Sequence, residues 1–455
     1  MFNIRTMYIK FQITFLFITV VYGCAQAQNP LEAYIAEGLA NNRVIKERNI
    51  SLEQSELALR SAKSYYLPTL SLDASYTLAD GGRIIELPLG DLLNGTYSAL
   101  NGLTGTNQFP QLENQSVQFF PNNFYDAHAR IAYPLINADR RYGVQIRDRQ
   151  MEISALEVEV YKAQLIRDIK EAYYSFAIAE AAVNIYQEAL KLVERNLRNN
   201  QSLLENGSGL PAYVLRAESE VESVKSKITE AQNKRKNAGY YLNFLVNRPL
   251  DTPVDYAQTD LAEAELIAFD GGPDVSQRAE IKQLAAAKEI VELQTKNAKS
   301  FLIPQLNTFV DLGSQAFEFD FNEQSRYFLF GLQLSVPLYS GNRNNLAIRA
   351  SKLDFEKINL QQANTTQQLT LAASVAENNI RSAISALENT RKRQSAARSY
   401  FKLIENGLTA GTNSYIEYLD ARNQLTNAEL DVAITYFQLL INQANLEREL
   451  APSNR

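Results

Sequence analysis

The sequence predicts a mixed fold: an all-α region joined to a transmembrane β-region that several chains share. Three observations predict it. Residues 138–205 and 344–405 contain no proline and are filled with Glu, Lys, Ala, Leu and Gln, all good helix formers. Four segments of about ten residues switch to two-residue alternation, with one apolar and one polar face, as transmembrane β-strands do. The same order of elements then runs through the chain twice.

Composition narrows the function. The chain has 455 residues, of which 45% are hydrophobic and 21% charged, so it is neither disordered nor a polytopic helical membrane protein. A net charge of -6 argues against nucleic acid as a partner. One Cys and one His allow no internal disulfide and no Cys/His metal cluster, and no cofactor is expected. Residues 1–27 read as a signal peptide. Arg5 and Lys10 precede an apolar run, and Ala25-Gln26-Ala27 forms a small-x-small cleavage pattern before Gln28. Two competing readings are an acylated Cys24, which the bulky Tyr22 disfavours, and an uncleaved anchor. No later run reaches about 18 apolar residues, so no transmembrane helix is expected.

The first half covers residues 28–250. Residues 31–65 have helical periodicity, and Pro68 stops them. Residues 69–78 form a strand with Leu70, Leu72, Ala74, Tyr76 and Leu78 on one face. Residues 80–123 read as a long Gly/Asn/Pro-rich loop. Strand 125–135 sets Ala127, Ala129 and Ile131 against Asp126, His128 and Arg130. Helix 138–205 would reach roughly 100 Å at about 1.5 Å per residue. A glycine turn follows, then a return helix over 212–245. Residues 251–274 join the halves. The second half, 275–450, repeats the order: helix, strands 305–312 and 327–338, long helix 344–405, glycine turn, and return helix 414–450. Residues 451–455 are a tail.

Four strands cannot close a membrane barrel, and open edges in lipid leave backbone groups unpaired. Two copies would supply a barrel narrow enough to be plugged by side chains. Three would leave room for water. A conduit therefore favours a trimer.

The repeat carries a family resemblance. Tyr66-Leu67-Pro68-Thr69-Leu70 recurs as Leu302-Ile303-Pro304-Gln305-Leu306, and Tyr133-Pro134-Leu135 as Val336-Pro337-Leu338. Leu204-Glu205-Asn206-Gly207 recurs as Ile404-Glu405-Asn406-Gly407. With Tyr415-Ile416-Glu417-Tyr418-Leu419-Asp420-Ala421 and the closing Leu440-Ile441-Asn442-Gln443-Ala444-Asn445-Leu446, nearly the whole mature chain resembles the TolC-like outer-membrane efflux proteins. The resemblance implies a homotrimer with a 12-stranded shared barrel in outer-membrane lipid and a 12-helix periplasmic tunnel. It implies passive export of small molecules, driven by an inner-membrane pump through a periplasmic adaptor. A duct for type I protein secretion has the same architecture. A periplasmic coiled-coil adaptor would explain the helices but not the strands.

No reaction centre suggests an enzyme. His128 falls on the polar face of a strand and reads as a lumen-wall residue. Pro68, Pro134, Pro304 and Pro337 read as strand–helix junctions, since each fixes φ and blocks a helix. Gly207, Gly209 and Pro211 form one hairpin tip, and Gly407 and Gly411 the other. The resemblance makes both tips adaptor contacts. Glu417 and Asp420 lie three apart on one helical face and match the family's periplasmic entrance constriction. Crowding of six such carboxylates in a trimer is expected to raise the pKa of some of them and to attract cations. Arg216 is a possible latch whose partner the sequence does not reveal.

Overall fold

The computed structural model describes residues 30–118, 120–257 and 274–450. The expected signal peptide, Cys24, the tail 451–455 and most of the joining segment lie outside the described residues. In chain order the elements are α1 (Pro30–Asn41), α2 (Arg43–Ser64), β1 (Thr69–Thr77), β2 (Ile84–Leu87), α3 (Leu89–Thr104), β3 (Gln115–Gln118) and β4 (Phe124–Ile136). There follow α4 (Ala138–Glu205), α5 (Pro211–Val246), α6 (Ala279–Lys299), a 3-10 turn (Ser300–Leu302), β5 (Gln305–Phe317), β6 (Arg326–Ser335), α7 (Arg343–Thr409) and α8 (Tyr415–Leu450). No described helix is long and apolar enough to cross a membrane.

The chain divides into two compact units. The first comprises Met1–Ser55, Arg149–Glu289 and Glu356–Arg455 and is helical where described. The expected single helix over 31–65 is two helices. Asn42 separates them because its Oδ1 accepts from the amides of Val44 (2.9 Å) and Ile45 (3.2 Å), which caps α2. Its Nδ2 donates to the Leu245 carbonyl (2.9 Å), so the break also fastens the end of α5. Around it, Leu31, Tyr34 and Ile45 pack with Leu165, Ile169, Tyr173, Leu242 and Val246. A second cluster joins Ile380 and Leu387 of α7 to Tyr436, Phe437, Leu439 and Leu446 of α8. Each fully buried Leu or Phe contributes about 1.5–3 kcal/mol. Ala177, Ala376 and Ala383 lie among these residues, where small side chains let the helices approach.

The second unit, Glu56–Asp148 and Ile290–Phe355, holds a four-stranded antiparallel sheet in the order β1-β4-β5-β6. Thr69–Thr77 pairs with β4, β4 with β5, and β5 with β6, so β1 and β6 are the two edges. One face is apolar and open: Leu72 is 81% exposed and Phe328 67%. The other face is polar and cross-linked. Arg130 donates two hydrogen bonds, both 2.7 Å, to the Asp311 carboxylate, which sits directly opposite it in the register. Tyr327 Oη donates to Asp126 (2.9 Å), and His128 Nδ1 lies 3.2 Å from the same carboxylate. His128 thus lies on the polar face with named partners.

Three expectations need correction. Strand β5 continues past 312 to Phe317, because β4 pairs with it as far as Phe124. Strand β6 stops at Ser335 rather than 338, before Pro337, whose missing N–H cannot serve a ladder. Residues 80–123 are not a plain loop. They hold β2 and β3, paired antiparallel from Ile84↔Gln118 to Leu87↔Gln115, and the helix α3 between them.

Candidate functional site: the paired hairpin tips

The first tip closes mainly through backbone bonds, with Asn206 Nδ2 donating to the Ser202 carbonyl (2.8 Å) and Ser208 Oγ to the Leu203 carbonyl (3.2 Å). Helix α4 ends at Glu205, and the Leu203 carbonyl accepts from the amides of Ser208 (3.0 Å) and Gly209 (2.8 Å). Gly207 is left-handed (φ 74°), a conformation costly to residues with a Cβ. Gly209 instead lies against the Leu203–Leu204 backbone, where a side chain would collide. Pro211 is the first residue of α5, where a missing N–H costs nothing, and Leu210 before it offers no side-chain cap.

The second tip is different. The expected helix end at 405 is passed, and α7 runs through Gly407 to Thr409. The Gly407 carbonyl accepts from Thr412 (2.8 Å) and Asn413 (3.2 Å), and a Cβ on Gly407 would strike the Asn413 amide. Gly411 supplies the left-handed turn (φ 77°). Ser414 and Glu417 then form a capping box. The Glu417 carboxylate accepts from Ser414 N (2.7 Å) and Oγ (3.0 Å), and Ser414 Oγ accepts from Glu417 N (3.3 Å). The Ser414 backbone N–H, then its hydroxyl and the Asn413 amide, hold the Glu417 carboxyl below its ordinary pKa. In the single chain this shift runs opposite to the one expected of a crowded acidic ring. Asp420 is exposed and accepts from Gln424 Nε2 (2.6 Å).

The tips share an aromatic core and a charge bridge. Tyr415, Tyr418 and Phe401 pack with Tyr213 and Ala217; Tyr213 and Tyr415 have ring centroids 5.3 Å apart. Burial pushes the Tyr415 phenol up to about 12. Arg216 pairs with Glu220 one turn on along its own helix (3.0 Å), so it does not itself cross between hairpins. The crossing is made by Arg422 of α8, whose Nη2 donates to the other Glu220 oxygen (3.1 Å). Arg422 is only 2% exposed, and its Nε and Nη1 have no hydrogen-bond partner among the described residues.

The sequence reading missed Glu220, Arg422 and the capping box. Their signals are present: Ser414-x-x-Glu417 precedes an apolar run, and Arg422 follows Tyr415 and Tyr418 at helical spacing, on the buried face. The prolines are placed unequally. Pro68 and Pro304 each stand one residue before a strand, and Pro337 follows β6. Pro134 lies inside β4 opposite Asn307, at a register shift two residues before the strand ends at Ile136 and α4 begins at Ala138.

The family profile described as "Outer membrane efflux protein" matches residues 34–248 and 275–451. This chain belongs to the outer membrane efflux protein family. Among family relatives, Outer membrane protein TolC of Salmonella enteritidis is 20% identical over 451 residues, covering 94% of this chain and 83% of that protein. Alkaline protease secretion protein AprF of Pseudomonas aeruginosa is 20% identical over 315 residues, covering 62% and 63%. The open-state MtrE outer membrane channel of Neisseria gonorrhoeae superposes with a TM-score of 0.74 at 18% identity, covering 92% of this chain and 88% of that one. That likeness establishes a channel fold with mixed helix and sheet. Membership in the efflux protein family makes this chain an outer-membrane exit duct with a helical periplasmic part.

Proposed function

We propose that three copies assemble into one passive duct for small molecules, with twelve strands in a shared barrel and twelve helices in the tunnel. The observation that carries this is the four-stranded sheet, with free edges at β1 and β6 and one open apolar face. In lipid both edges need partners, and the β6 edge of one copy can complete the β1 edge of the next. The repeated halves, 28–250 and 275–450, joined by 251–274 and flanked by signal peptide 1–27 and tail 451–455, would give six like sectors around one axis. Transport here needs no catalytic step. The pump in the inner membrane supplies the energy, and a periplasmic adaptor meets the tips at Gly207, Gly209, Pro211, Gly407 and Gly411.

At the periplasmic entrance Glu417 and Asp420 form the constriction. Glu417 serves it twice, as a charge and as the cap of α8. The latch is the Arg216–Glu220–Arg422 bridge, since Arg422 joins the second hairpin to the first. A second reading, a duct for type I protein secretion, is favoured by the AprF relative, whose name is that of a secretion protein. Native mass measurement in mild detergent tests the assembly. A trimer is expected, and a monomer or dimer would contradict it.

A further inference from the structure

The structure assigns a second closure, at the exterior end, to α3. Residues 80–123 leave the ends of β1 and β4 that lie away from α2 and α4. Three asparagines pin the returning chain along one side of α3. Asn94 and Leu112 exchange two hydrogen bonds, from Asn94 Nδ2 to the carbonyl (2.8 Å) and from the amide to Asn94 Oδ1 (2.7 Å). Asn101 and Phe109 do the same (2.8 and 3.1 Å). Asn114 Oδ1 accepts from the amides of Gly90 (3.0 Å) and Asp91 (3.2 Å) at the helix start. The helix is therefore held in one rotation.

That rotation turns a second face outward. Leu89, Leu92, Thr96, Ala99 and Leu103 follow alternating three- and four-residue steps, the spacing of a coiled-coil seam. At about 100° per residue this stripe lies opposite Asn94 and Asn101. All five are exposed; Leu92 is 67% and Leu103 85% accessible. Gly95 and Gly102 border the stripe over open space and would admit a close neighbour. Asp91 is the helix's one charged residue.

The occupant is the same helix of the other copies. This inference rests on the trimeric reading above. The α3 excursion grows from β1, an edge strand that needs another copy's β6, so it continues that interface. Three-fold symmetry gives the three helices one common tilt, and set along the axis they run parallel, the arrangement that a two-heptad, largely apolar seam suits. Alone, sixteen residues are too few to associate stably in water. Tethering on one barrel rim supplies the effective concentration that the short seam lacks. Three α3 helices joined along this stripe would seal the exterior mouth by apolar contact, which outward flow can part without moving any charge pair.

Disulfide trapping in outer-membrane preparations tests this. Leu92→Cys and Leu103→Cys should each give cross-linked chains on mild oxidation, whereas wild type and Ser98→Cys, on the clamped side, should not. A Leu92→Glu/Leu103→Glu variant should remain trimeric by native mass and show at least twofold higher planar-bilayer conductance. A trimer that neither cross-links at 92 or 103 nor changes conductance overturns this seal and leaves the duct reading intact. A mass below the trimer overturns both. A polarity-sensitive label on Leu92→Cys that enters lipid vesicles without cross-linking would also overturn it, reassigning the stripe to the membrane surface.

Discussion

The two hairpin tips hold equivalent places in a repeated sequence, yet they are built by different means. The first turns on Gly207 and Gly209 and starts α5 with Pro211, with no side-chain cap on the helix start. The second turns on Gly411 and starts α8 with a reciprocal Ser414–Glu417 cap. The difference separates structure from charge. At the first tip every orphan amide is left to backbone or solvent. At the second, an acid proposed for the constriction is already committed to holding the helix start. Asp420, bound by Gln424 alone among the described residues, is the freer of the two charges.

The largest effect is expected where the tips are joined. Arg422→Met leaves Glu220, whose side chain is 13% exposed, without its cross-hairpin partner. Loss of one member of a buried pair costs about 3–5 kcal/mol, whereas Glu220→Met/Arg422→Met should recover most of that. Limited proteolysis at the tips against urea concentration would read both. A double variant no better than the single one would show that the bridge does not join the hairpins.

Next come the turns themselves. Gly207→Ala and Gly411→Ala should each cost about 1–2 kcal/mol, because both residues are left-handed to a similar degree. Unequal costs in the same proteolysis assay would mean that the second tip's cap restrains its turn as well.

The smallest effects concern capping. Ser414→Ala should destabilise the second tip by about 0.5–2 kcal/mol, and Leu210→Ser should stabilise the first by a similar or smaller amount, since Leu210 is exposed and caps nothing. The cap also has a pH signature. Glu417 is held below its ordinary pKa, so its contribution is present above the unfolded carboxylate pKa and lost as pH falls through the folded one. Protease sensitivity of the second tip should therefore rise on acidification, and Glu417→Gln should flatten that dependence. An unchanged profile would remove Glu417 from the cap.

Much of this was legible in the sequence because it is periodic. The long helices declare themselves by the absence of Pro and the abundance of strong helix formers. The strands declare themselves by alternation that a membrane requires. What was not legible depends on single side chains. Asn42 splits a helix through two amide bonds, and the mixed Leu/Gly/Asn composition of α3 looks like a loop until Asn94, Asn101 and Asn114 pin it. Arg422 was hidden because a charged residue on a buried helix face is unusual, and its partner Glu220 lies 202 residues away.

The claim that the second tip bears the entrance charge is tested most directly in planar bilayers. Asp420→Asn/Glu417→Gln should assemble as wild type but show weaker cation preference and weaker divalent-cation block, with Asp420→Asn alone giving most of the change. Equal selectivity and equal block in wild type and the double variant would contradict it, and would return both acids to a solvated face of the helix.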